Sequence, residues 1–162
     1  MATETNKQGL LISKALKMGL RVRLRVGGQS MTPSILSRSW IVVRPLDQNE
    51  IPRIGDVVMF LSDRAPSPCF VVHRVIWTDG EQITTQGDSN ITPDETHHYT
   101  KIVGIVVSRE FLGMRFMMRP NAWSRWILHH SRPAHKINHL IARLLSRVAS
   151  LFPRREEEEA AA

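Results

Sequence analysis

Apolar and polar positions alternate most strictly at residues 21–26, RVRLRV, where Val22, Leu24 and Val26 share one side. A period of two predicts a half-buried strand, here with a basic outer face. Gly27 and Gly28 end it. Just before it, residues 9–20 (GLLISKALKMGL) follow a helical period and predict a short amphipathic helix. Residues 1–8 are polar and are expected to fray. Short β-branched or aromatic runs at 40–43, 56–61, 69–77, 83–86 and 101–108 predict strands. Pro45, Pro52 with Gly55, Pro66 with Pro68, Asp79-Gly80, Gly87-Asp88 and Pro93 separate them. Asp79-Gly80 between two such runs predicts a hairpin. Short strands at this spacing predict an antiparallel sheet or barrel rather than an alternating α/β fold.

The pattern changes beyond Pro120. Trp123 and Trp126 lie among Arg125, His129, His130 and Arg132. Residues 134–151 then predict a helix, opened by Pro133 and stopped by Pro153. Ile137, Leu140, Ile141, Leu144, Leu145, Val148 and Leu151 form its apolar side, flanked by Lys136, Arg143 and Arg147. That face suits packing on the β domain, on a second copy, or on a membrane surface with Trp123 and Trp126 at the interface. His135 and His139 have the spacing of a two-histidine metal site but lie on the polar side without a third ligand, and are read as solvated. The EEEEAAA tail is expected to be disordered. The expected fold class is therefore mostly β, with a short N-terminal helix and a C-terminal basic amphipathic helical extension. Its parts are 1–25 (helix and first strand), 26–112 (β domain), 113–153 (extension) and 154–162 (acidic tail).

Composition narrows the classes. The chain has 162 residues, 42% hydrophobic and 23% charged, which suits one globular domain and not a disordered chain. Its one cysteine, Cys69, rules out an internal disulfide and a cysteine-rich zinc site; it is expected to be a small buried hydrophobe. No apolar run reaches the ~20 residues of a membrane span. Lys14, Lys17 and Arg21 break up the stretch after the apolar patch at 10–12, so a secretory signal is not expected and the cytoplasm is the default. The net charge of +7 is unevenly spread. Residues 1–28 hold six basic and one acidic residue, 29–108 six and nine, and 109–155 ten and one, before four glutamates at 156–159. A uniform nucleic-acid binder would not show an acidic centre between basic flanks. An enzyme-like centre with adhesive ends would.

Three places in that centre carry candidate chemistry. Ser30 follows the Gly27-Gly28 turn at a strand end, in Gly28-Gln29-Ser30-Met31-Thr32-Pro33. A serine so placed can project from the sheet edge near backbone N–H groups able to face an oxyanion, with Pro33 stiffening the turn. Turn-forming is the plainer role of such a serine. His73, in FVVHRV, shares a strand face with Val71 and Val75, while Val72 and Arg74 face the other way. It suits either a satisfied structural histidine or a general base held on a rigid strand. Asp88 and Asp94, six residues apart around Gly87-Asp88-Ser89-Asn90, are turn formers or the source of a carboxylate that orients the histidine.

Taken in order, Ser-Met-x-Pro (30–33), Gly-Asp-Val-Val-Met-Phe (55–60), Val-His-Arg-Val (72–75), Gly-Asp-Ser-Asn…Asp (87–94) and Ile-Val-Gly-Ile-Val (102–106) form a series that resembles the signal peptidase superfamily of serine peptidases. The likeness spans about residues 26–108. It is nearest to the archaeal and endoplasmic-reticulum branch, which has a histidine base where the bacterial enzymes have lysine. The resemblance implies Ser30 as nucleophile, His73 as general base and Asp94 as the third catalytic residue. Asp88 matches an aspartate that supports the site, and Met31 and Pro33 complete the supporting set. It also implies an extended peptide or precursor-protein substrate, cut after small side chains, with no metal or other cofactor.

Three departures stand out. Gly28 occupies a position where the family commonly has a serine, whose hydroxyl serves the oxyanion hole in the bacterial branch. Trp40 stands where the family often has an aspartate. The N-terminal membrane anchor of the family has no counterpart in residues 9–20. The competing expectation is thus a weak or inactive peptidase-like module that binds a membrane surface or partner peptide through its basic flanks. The self-cleaving repressor relatives fit less well, because they use lysine as base and carry a DNA-binding helix-turn-helix. Nucleic acid is not expected as a partner. The expected location is the cytoplasm, with peripheral attachment to a membrane or self-association through the C-terminal helix.

Overall fold

The computed structural model describes residues 2–62, 69–111 and 113–118. The helix expected at 134–151, the aromatic and histidine cluster before it and the acidic tail lie outside the described residues. What is described is one mostly antiparallel β-sheet with an N-terminal helix.

Helix α1 runs Ala2–Lys17, earlier at both ends than the pattern predicts. Its first two turns have no apolar face for a periodicity test to find. Its end is set by Gly19, at φ 80°. The Leu20 N–H reaches the Ala15 carbonyl at 3.0 Å and the Gly19 N–H the Leu16 carbonyl at 2.9 Å, which caps the last turn through a left-handed glycine. Leu16, on the inner side, is buried in the core.

Eight strands follow among the described residues: β1 Val22–Arg25, β2 Trp40–Arg44, β3 Val57–Ser62, β4 Cys69–Thr78, β5 Gln82–Gln86, β6 His97–His98, β7 Ile102–Phe111 and β8 Met114–Met117. The sheet order is β1-β2-β7-β3-β4-β5-β6, with β8 paired to the far end of β7. Every pairing among them is antiparallel. The Asp79-Gly80 turn joins β4 to β5 as predicted, with Gly80 at φ 101°.

Two further findings differ from expectation. Met114–Met117 belongs to the β-sheet and not to a helical extension. All four side chains are exposed, so no alternation marks the strand, and pairing with β7 holds it. Cys69 is only half-buried, because it opens β4 opposite Ser62 at the end of the hairpin.

The sheet has a core on each side. Met31, Ile35, Ile41, Val43, Val57, Met59 and Val106 meet Leu16 on one face. Val58, Phe60, Val75, Ile83, Ile102 and Ile105 form the other. β3 is buried on both faces, which explains its unbroken apolar run. Ile102 and Ile105 share a face despite an odd spacing because β7 bulges: Phe60 pairs with Ile102 but Met59 with Gly104.

The loop between β2 and β3 is pinned by an ion pair. Both terminal guanidinium nitrogens of Arg44 bond Glu50, at 2.6 and 2.5 Å. The Arg44 hydrogen bonds hold the Glu50 carboxyl below the usual glutamate range. A carboxylate depressed in the fold stabilises it fully above the unfolded value, about 4.3, and stops doing so as the pH falls through the folded value. Glu50→Gln is therefore expected to lower stability by about 0.5–1 kcal/mol at neutral pH. The gap to the parent should close below the glutamate range, as read by urea titrations across pH.

Candidate active site

Sheet register places the histidine. His73 pairs with Val58 across β3–β4, and Val71 with Phe60. Its imidazole therefore lies on the face of the second core, edge-on to the Phe60 ring at 6.1 Å. His73 is 6% exposed. One pair further along, Val75 opposes Thr85 of β5, on the same face.

Asp94 is held against that strand. Its N–H donates to the Thr85 carbonyl at 2.8 Å. Its Oδ2 accepts the Thr85 hydroxyl at 2.6 Å and lies 2.6 Å from His73 Nδ1. A carboxylate only accepts, so in the neutral ring the Nδ1 proton points at Asp94 and Nε2 keeps its lone pair. Ser30 Oγ sits 3.0 Å from Nε2 and donates to it. Ser30, His73 and Asp94 thus form one continuous line of hydrogen bonds from three separate segments.

The Ser30 loop spans β1 to β2 and is anchored on both sides. The Val26 N–H bonds the Ser39 carbonyl and the Arg38 N–H the Val26 carbonyl, closing its base. Thr32 N–H bonds the Gln29 carbonyl, which sets Ser30 on a tight corner. Met31 and Ile35 then plunge into the first core. Met31 is thus a packing anchor next to the serine. The peptide bond before Pro33 is cis. From β7, the Arg109 guanidinium donates to the carbonyls of Pro33 and Ser34. Burial pushes that guanidinium down from its ordinary value.

A second clamp comes from the 87–90 turn. The Ser89 N–H donates to the Ser30 carbonyl at 2.8 Å, and the Ser89 hydroxyl to the Gln29 carbonyl at 3.0 Å. A Cβ at Gly87 would stand 2.7 Å from the Ser30 carbonyl oxygen, so only glycine lets the turn approach this closely. Asp88 does not reach His73. It is buried and bidentate to Arg74, at 2.8 and 2.7 Å. Arg74 also donates to the Gly55 carbonyl at 2.9 Å and the Ser34 hydroxyl at 3.1 Å. Successive residues on a strand face opposite ways. His73 therefore touches Ser30 directly, while Arg74 ties the Ser30 loop to two turns from the other side.

Sequence reasoning missed Thr85, Arg74, Ser89 and Gly87 as parts of the site. Period two does put Arg74 opposite His73, but its burial depends on a partner fourteen residues away. Thr85 shows its role only once the β4–β5 register is known.

No protein-family model matches the chain, and no curated protein matches it.

Proposed function

We propose that this chain is a serine endopeptidase of the signal peptidase type, cutting an extended peptide or leader after small residues. The observation that carries the reading is the Ser30–His73–Asp94 hydrogen-bonded line, with Nε2 poised to accept the serine proton. His73 takes that proton as Ser30 Oγ attacks the scissile carbonyl, and Asp94 stabilises the imidazolium that forms. The Ser30 N–H helps bind the oxyanion. The imidazolium then protonates the leaving amine, and water, deprotonated by His73, releases the acyl group.

Incubating the folded protein with unstructured peptides that carry small residues at varied positions, read by mass spectrometry, tests the activity. Cleavage after small residues, lost in Ser30→Ala, is expected. Intact peptides after prolonged incubation favour the binding-module reading instead.

Gly28 offers a sharper handle. It is exposed, and a Cβ there meets nothing within 4 Å. Gly28→Ser therefore adds a hydroxyl near the nucleophile without a clash. One missing oxyanion donor is worth ~10²–10³-fold in kcat when fully preorganised. A hydroxyl that is not fully preorganised should recover part of that, about tenfold in kcat. Steady-state kinetics on one cleaved peptide check it, with an unchanged melting temperature as the control.

A further inference from the structure

Helix α1 shows its second side to solvent. Ile12 and Leu16 face the core. On the other side Leu10 and Leu11 are 70% and 65% exposed, and Met18 and Leu20 just past the helix end are 67% and 54% exposed. Lys14, Lys17 and Arg21 are exposed among them, and none is ion-paired among the described residues. Residues 1–28 contain one acidic residue, Glu4. Four exposed aliphatic side chains and three cations with no ion pair among the described residues therefore lie within residues 10–21.

From this surface we propose that the outer side of α1 docks on an anionic lipid bilayer. The helix would lie in the plane of the interface, with Leu10, Leu11, Met18 and Leu20 in the acyl boundary and Lys14, Lys17 and Arg21 among the headgroups. Charge complementarity selects this occupant. A second copy laid on the same face would set three cations against three cations. A nucleic acid would satisfy the cations but leave the four aliphatic side chains in water. No helix among the described residues is long and apolar enough to cross a membrane, which suits a helix that lies on its surface. The inference does not depend on the peptidase reading.

Flotation of the full chain with phosphatidylcholine vesicles, with and without phosphatidylglycerol, tests it. The protein should float with the anionic vesicles, and added salt should release it. Lys14→Gln with Lys17→Gln should weaken partitioning about 25-fold, from two lost headgroup attractions. Leu10→Ser with Leu11→Ser should weaken it by about tenfold or more. All four side chains are exposed, so the fold should survive, and circular dichroism checks that. As a gain of signal, the extra emission of Leu11→Trp over the parent should shift to the blue on anionic vesicles. Parental binding by both double variants would overturn the proposal, since another surface would then be responsible. So would equal flotation with neutral vesicles, no emission shift, or a preference for RNA or an acidic protein over the vesicles that the same variants abolish.

Discussion

Replacement of His73 by alanine is expected to lower kcat/KM for peptide cleavage by on the order of 10⁴-fold. The ring bonds both Ser30 and Asp94, at 3.0 and 2.6 Å. Without it the serine hydroxyl has no base, while Asp94 keeps the Thr85 hydroxyl. Asp94→Asn should cost a similar factor by another route. The amide can donate to Nδ1, which moves the imidazole proton to Nε2 and removes the acceptor for Ser30. The decisive readout is non-additivity. Groups that act as a unit lose most of their effect at the first removal, so His73→Ala with Asp94→Asn should be little worse than His73→Ala alone. Multiplying losses would mean that the two residues act separately.

The largest effect on stability is expected at Asp88. Asp88→Ala leaves the buried Arg74 guanidinium without its bidentate partner, and breaking such a pair costs about 3–5 kcal/mol. For a chain of this size that lowers Tm by about 10 °C. Peptide cleavage should fall as well, because the turn that carries Asp88 also holds the Ser30 carbonyl through Ser89. Arg74→Met combined with Asp88→Leu separates the two effects. Exchanging a buried ion pair for apolar side chains is often neutral or better, so much of the melting temperature should return. Cleavage should remain impaired, because the bonds from Arg74 to Gly55 and Ser34 are gone. A double variant as unstable as Asp88→Ala would place the loss in the shape of the turn rather than in the unpaired charge.

Much of the sheet was legible because its strands are short apolar runs between proline and glycine turns, and the observed bounds of β1 to β5 lie within a residue of the expected ones. β6 and β8 were not. Two histidines and a run of exposed residues at 114–117 have no pattern of their own, and only a neighbouring strand makes them β. The close of α1 was written in Gly19, but the apolar period running on to Leu20 masked it. At the site, Ser30, His73 and Asp94 stood out as residue types set in an ordered series of motifs. The supporting bonds did not, since Asp88 looks like any turn aspartate until Arg74 is found beside it. In the acidic centre of the sequence Asp88 and Asp94 divide the work: one bonds Arg74, the other His73.

The most direct test is the intact mass of the protein after treatment with a serine-directed phosphonate probe. The wild type should gain a single adduct that maps to Ser30, and both Ser30→Ala and His73→Ala should gain none. A folded wild type that stays unlabelled, or labelling that persists in His73→Ala, would contradict a serine activated by His73.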